Sequence, residues 1–428
     1  MTPVAITGIG LLSPLGLGAG ANLEALLAGR SGLAAPADGR LLAMGVPAVG
    51  AAPAPTAAGL DRVESLALDA VRMALADAGL AVPDLPEATF LAVSTSKGPV
   101  AAIEAQIVCQ AAPRLSLERL GTASAGALLA RELGVRGAVA CFPAACATGL
   151  VSVLAAAREV ASGRAELALA GASESSLTPF IHAGFLRMGA LAVTQGSGSG
   201  VSGLGCHAEG MGTRPPGSRT PDPRPQTPDP RHAVRPFDRA RRGFLLGEGA
   251  AVFVLEPSER VERRGGRVRA ALAGGAEACD AWSIAAPEPE GLGLEQAARL
   301  ALERAGCRPG GLDGLWLHGT GTMAGDEAEL AAVSRLLSGA AGPVHATATK
   351  GLTGHMLGAS GAVELAFAAV CLEAGRLPAV AGLDDPLACP AGLRLVRGRA
   401  ASLRAERYLA LSAGFGGHSA AAVLQRKP

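Results

Sequence analysis

The chain has 428 residues, too many for one small core, so two domains or one large fused α/β unit are expected. Hydrophobic residues make up 49%, 59 residues are glycine and only 3% are aromatic, so backbones must pack closely without aromatic bulk. The balance of 38 Lys and Arg against 37 Asp and Glu excludes a general nucleic-acid binder, which needs a basic excess.

In chain order, PVAITGIG opens as a strand running into a glycine turn. The opening has no basic region followed by an apolar one, and later apolar runs break before roughly 18 residues. Eight cysteines, Cys109, Cys141, Cys146, Cys206, Cys279, Cys307, Cys371 and Cys389, show no framework spacing. A soluble, cytoplasmic protein without disulfides is therefore expected. RVESLALDAVRMALADAGL places apolar residues every three or four positions, which predicts a helix ending near Gly79. ATFLAVSTSKG reads as strand then loop, and AELALAGASES and AAVFVLEP read as buried strands. The alternation predicts α/β layers.

The two halves echo each other. Strand, small-residue loop, long helix and Gly-Arg turn occur in VACFPAACATGLVSVLAAAREVASGRAEL and again in VHATATKGLTGHMLGASGAVELAFAAVCLEAGRLPAV. Each half then closes on a Gly-rich turn and an apolar strand. The expected division is 1–262 and 263–428, with equivalent loops meeting at a pseudo-twofold axis. Those loops carry Cys146 and His355. From Gln195 to Ala233, Gly, Ser and Pro dominate and TPDPRPQ nearly repeats as TPDPRHA, which reads as a mobile insertion, either a tolerated surface loop or a lid or docking surface.

Cys146, in CFPAACATGL, precedes a predicted helix. Free amides and the helix dipole there favour a thiolate, yet a Cys in an Ala-rich run also reads as a small buried hydrophobe. WLHGTGTMAGDEAEL puts His318 at a strand end, before Thr320 and Thr322 in a glycine turn, and ATATKGLTGHMLGASGAVEL puts Lys350 and His355 at a helix start. Either histidine alone reads equally well as a satisfied core residue. Both lie at switch points where an open α/β sheet binds ligands. GLGAGA and GTGTMA match a dinucleotide pattern, but that is cheap in a chain with 59 Gly and lacks the required context. There is no GxSxG, no HExxH and no paired Cys/His spacing, so neither a serine nucleophile nor a metal is expected.

The motifs AACATG, HGTGTMAGDEAE, TKGLTGHMLGASGAVE and GFGGH, in this order, together with RPFDRARRGFLLGEGAAVFVLE, resemble the elongating β-ketoacyl-[acyl-carrier-protein] synthases of fatty-acid and polyketide synthesis. The resemblance covers almost the whole chain apart from the insertion. It implies a thiolase-like α/β fold, two βαβαβαββ halves in a five-layered αβαβα core, usually a homodimer. It implies acyl transfer from carrier protein to Cys146, then decarboxylative condensation with a malonyl thioester. His318 and His355 would donate to the developing oxyanion, with Lys350 as an electrostatic neighbour and Glu364 and Asp326 in the supporting network. The backbone amides of Cys146 and Phe415 would form the oxyanion hole, with Phe415 also a gate. Thr320 and Thr322 would hold the phosphopantetheine arm of the acyl carrier protein, and no cofactor or metal would be bound.

Leu411 and Ala413 stand where such enzymes often carry Asn and Phe, which implies a looser gate. His418 is read as structural. The alternatives are a non-condensing partner of the chain-length-factor type, in a heterodimer with a ketosynthase subunit, a thiolase or starter enzyme, and a carrier-binding module.

Overall fold

The computed structural model describes residues 3–108, 120–193, 233–340 and 342–426. The Gln195–Ala233 insertion, Ala233 excepted, and the cysteines Cys109 and Cys206 lie outside them. Ten strands form one path: β1 Val4–Ser13, β2 Thr89–Ser94, β3 Leu167–Glu174, β4 Gly249–Glu256, β5 Ala270–Cys279, β6 Gly314–Trp316, β7 Val344–Thr347, β8 Leu393–Leu395, β9 Arg407–Gly414 and β10 His418–Gln425. Their order is β8-β7-β6-β9-β10-β5-β1-β4-β3-β2, and Gly16–Leu17 adds a short hairpin strand on β1. The helices that matter for the site are α1 Arg62–Ala78, α2 Ser124–Leu133, α3 Thr148–Ala161, α4 Pro179–Arg187, α5 Leu292–Arg304, α6 Met323–Leu336 and α7 Ser360–Ala374.

The order repeats strand by strand. In the first half β1 pairs antiparallel with β4, β4 antiparallel with β3, and β3 parallel with β2. In the second half β5, β10, β9 and β6 repeat the same sequence of orientations. The half-sheets join where β1 meets β5 through the register pairs Val4–Leu272, Ala5–Ala271 and Ile6–Ala270. Helices α1 and α2 cover the first half-sheet, α5 and α6 cover the second, and α3 and α7 lie between, which makes the five layers αβαβα.

Side-chain alternation builds these layers. Along β3, Leu167 and Leu169 face α1, whereas Ala168, Ala170 and Ala172 face the middle helices. Along β9, Leu409 and Leu411 face the outer helices, whereas Tyr408 and Ala410 face inward. Alanine on the inward faces lets the middle helices sit close. Where α3 and α7 cross, a Cβ on Gly149 would lie 2.7 Å from the Ala362 nitrogen, and one on Gly361 would lie 2.9 Å from the Leu150 nitrogen.

Two expectations change. Gly8 and Gly10 lie inside β1 rather than in a turn, because the α1 backbone packs onto them: a Cβ on Gly8 would meet the Ala74 carbonyl at 2.1 Å. The stretch Leu357–Ala374 is apolar and long enough to cross a membrane, but 89% of it is buried inside the fold as the middle layer. The six described cysteines are free thiols.

Candidate active site

Cys146 sits in a short turn, Ala145–Ala147, that leads directly into α3. In the other half, Leu357–Ala359 leads into α7 in the same way. Ala145 adopts a left-handed φ of 48° and Leu357 one of 43°, each costing roughly 1–3 kcal/mol for a residue with a Cβ. Both turns come together in the middle layer, so the halves meet at the thiol. Gly358 is the twofold mate of Cys146.

His355 arrives from the second half. Its Nε2 lies 3.1 Å from the Cys146 sulfur and its Nδ1 lies 2.9 Å from Ser360 Oγ. With the Nδ1 proton donated to Ser360, Nε2 is the acceptor that faces the thiol. The His318 ring stands 5.4 Å from that of His355, at 80°. Lys350 Nζ, fully buried, donates to the His318 carbonyl and to Glu364 Oε1 at 2.5 Å, and lies 3.4 Å from His318 Nδ1. An ammonium only donates, so it fixes the His318 proton on Nε2.

Two acidic side chains pin the loop that carries His318. Glu329 accepts the backbone N–H groups of His318 and Gly319 at 2.6 and 2.8 Å. Asp326 accepts those of Phe237 and Gly321 at 2.7 and 3.0 Å. Thr322 caps α6 through Gly325 N–H, and its Oγ1 lies 2.9 Å from that of Thr320. On the other side, Gly414 lies so close to Cys146 that a Cβ there would be 3.0 Å from the Cys146 nitrogen. The Phe415 backbone amide follows directly, and its N–H favours the thiolate form of Cys146.

Burial dominates the electrostatics. It pushes Cys146 up to about 11, against the pull of Lys97, Lys350 and the Phe415 amide. The amides and cations that favour a thiolate are present, but desolvation outweighs them, and the resting group is a neutral thiol. Burial, reinforced by Lys350, also holds His318 and His355 well below the usual imidazole range. Both rings are therefore neutral at pH 7. Burial pushes Glu329 up to about 8 despite its two amide bonds, and Glu364 up to about 7 despite Lys350.

A cavity of about 350 Å³ runs from the surface to Cys146, His318 and His355, with Thr320 and Thr322 on its wall. His418, read from the sequence as structural, is exposed and lines its mouth. Ala413 lines the same cavity, whereas Leu411 packs into the outer core.

The structure thus gathers Cys146, His318, His355, Lys350, Glu364, Asp326, Thr320, Thr322 and Phe415 in one place. Sequence reasoning missed several neighbours. Phe244 sets its edge against His355 at 4.9 Å, Phe185 meets Phe244 at 5.4 Å, and Phe415 stacks on Phe185 at 6.1 Å. Glu329 stands three positions after Asp326 on one helix face, a signal that was readable. Phe185 and Phe244 carried none.

A duplicated five-layer fold with one buried thiol beneath two neutral imidazoles at its pseudo-twofold axis is that of the thiolase-like ketosynthases. Residues 1–213 match the β-ketoacyl synthase N-terminal domain and residues 269–384 the C-terminal domain, and the chain belongs to this family. It is 31% identical to the tetracenomycin polyketide synthase ketoacyl synthase alpha subunit of Streptomyces glaucescens, over 99% of this chain and 97% of that one. It is also 31% identical to 3-oxoacyl-[acyl-carrier-protein] synthase 2 of Synechocystis sp., where the match spans 69% of this chain but only 63% of the relative. Among solved structures, the ishigamide ketosynthase/chain length factor matches with a TM-score of 0.81 and 28% identity, over 99% of both chains.

Proposed function

We propose that this chain is an acyltransferase that joins an acyl group held on Cys146 to a malonyl group, releasing CO₂ and a 3-oxoacyl thioester. Both substrates would arrive on the phosphopantetheine arm of an acyl carrier protein, in fatty-acid or polyketide synthesis. The observation that carries this reading is the 3.1 Å contact of Cys146 Sγ with a neutral, acceptor-oriented His355 Nε2.

In the first step the thiol attacks the acyl carbonyl as its proton passes to His355. The tetrahedral oxyanion is held by the amides of Cys146 and Phe415, and the carrier thiol leaves with the proton. In the second step the malonyl C–CO₂ bond breaks. The electron pair moves onto C2 and the thioester oxygen, where His318 Nε2–H donates. C2 then attacks the acyl-Cys146 carbonyl and the sulfur leaves. Thr320 and Thr322, on the cavity wall, suit the amides of the arm. Division of the chain near residue 262 into two ketosynthase halves is part of this proposal, as is pairing with a second copy or with a second ketosynthase-like subunit.

The rival is a non-condensing partner of the chain-length-factor type, the class named in one structural relative. The paired thiol and imidazole disfavour it, because a purely structural subunit has no use for them. Intact-mass measurement with acyl-carrier thioesters separates the two. The wild type gains one acyl mass and Cys146→Ala gains none. A wild type that binds carriers without loading is the partner subunit.

A further inference from the structure

One cation on the cavity wall has no part in the steps above. Among the described residues, the Lys, Arg, Asp and Glu side chains that line the cavity are Arg242, Asp280, Glu288 and Glu329. The three acids are already engaged by the backbone. Asp280 accepts the N–H groups of Trp282 and Glu288, each at 3.1 Å. Glu288 accepts those of Glu290 and Leu292 at 3.0 and 2.8 Å, and Glu329 those of His318 and Gly319. Arg242 is exposed, and its side chain makes no hydrogen bond or ion pair among the described residues. A guanidinium presents five N–H donors in a planar fork, and none of these is spent there.

The chain on both sides of Arg242 ties it to the threonine turn. Arg241 is buried and donates to the carbonyls of Thr322 and Met323 at 3.2 and 3.0 Å, and the Gly243 N–H donates to the Gly321 carbonyl at 2.8 Å. Arg242 stands between them, beside that turn. From Cys146 outward, the wall passes from the buried histidines to Thr320, 8% exposed, then to half-buried Thr322 and exposed Arg242. A phosphopantetheine arm carries its groups in the same order: the thioester, two amides and, at the carrier end, a phosphodiester. The phosphodiester is the arm's one ionised group, and its link to the carrier keeps it at the mouth while the thioester reaches Cys146. A free arginine fork matches phosphate oxygens in geometry and in charge.

We propose that Arg242 binds the phosphate of the incoming arm and so sets the arm's register in the cavity. This rests on the reading of the cavity as the arm's entry and of Cys146 as the acyl acceptor.

The test is the rate of Cys146 acetylation, as kcat/KM by intact mass, with S-acetyl-pantetheine and S-acetyl-phosphopantetheine as probes and acetyl-carrier protein beside them. In the wild type the phosphorylated probe should load about tenfold faster than the other, the worth of a hydrogen bond between charged groups. That ratio should fall to about unity in Arg242→Met, stay above it in Arg242→Lys, and shrink at high ionic strength. A ratio taken within each variant is unaffected by changes in thiol reactivity. Equal loading of the two probes by the wild type overturns the inference, as does an unchanged ratio in Arg242→Met. If that variant also slows the acetyl-carrier, the arginine meets the carrier's protein surface instead. Acetyl-carrier that loads while neither probe does also overturns it, since the phosphate then gives the arm no hold. Failure of all three to load the wild type overturns the acyl-acceptor reading and the inference with it.

Discussion

A thiol pushed up to about 11 by burial is a poor nucleophile at pH 7 unless a base stands beside it, and in the proposed reaction His355 Nε2, 3.1 Å away, is that base. Two expectations follow at this scale. Iodoacetamide alkylation of Cys146 in the resting protein should keep rising with pH through 9 and 10, because a raised thiol yields thiolate only as pH approaches about 11. A plateau near 8.5, the ordinary thiol value, would contradict this. The imidazoles are depressed, so they stay neutral as pH falls through the usual histidine range, and acyl loading should persist at pH 6. The two rings should also separate by substitution. His355→Ala should slow acyl loading by roughly 10²–10⁴, the usual worth of a positioned base. His318→Ala should load at close to the wild-type rate but lose roughly 10²–10³ in malonyl decarboxylation, as for loss of one oxyanion donor.

The elements position these side chains by close approach. The crossing of α3 and α7 at Gly149 and Gly361 holds the Cys146 turn against the Leu357–Ala359 turn. Gly149→Val forces a side chain into Ala362 at 2.7 Å, and overpacking of this kind costs about 1–3 kcal/mol. Urea unfolding should show that loss together with slower Cys146 loading, since the wedge lies three residues from the thiol. At the other end of the first half, Asp61 caps α1 in a reciprocal capping box with Glu64 and also accepts the Ala102 N–H at 3.0 Å. Asp61→Ala should cost about 1–2 kcal/mol in the same measurement and leave loading unchanged, because α1 lies in an outer layer. Periodicity made α1 legible, because its apolar face, its acidic cap and Gly79 agree with one another. The glycines of β1 were misread because the reason for them lies on another element, the α1 backbone.

At the scale of the whole molecule, the duplication visible in the sequence is what makes the site. Each half alone presents a helix-start turn, and only their meeting brings His318 and His355 over Cys146. This much was legible because internal repetition and motif order survive in one dimension. The aromatic path from His355 through Phe244 and Phe185 to Phe415 was not, since its members lie far apart in the chain and share no pattern. The most direct test of the central claim is single-turnover mass spectrometry of the carrier protein after acyl-loaded enzyme meets malonyl carrier. The account predicts release of CO₂, return of Cys146 to its unmodified mass, and a 3-oxoacyl carrier two carbons longer than the loaded acyl group. Loaded Cys146 that persists beside unchanged malonyl carrier would contradict it.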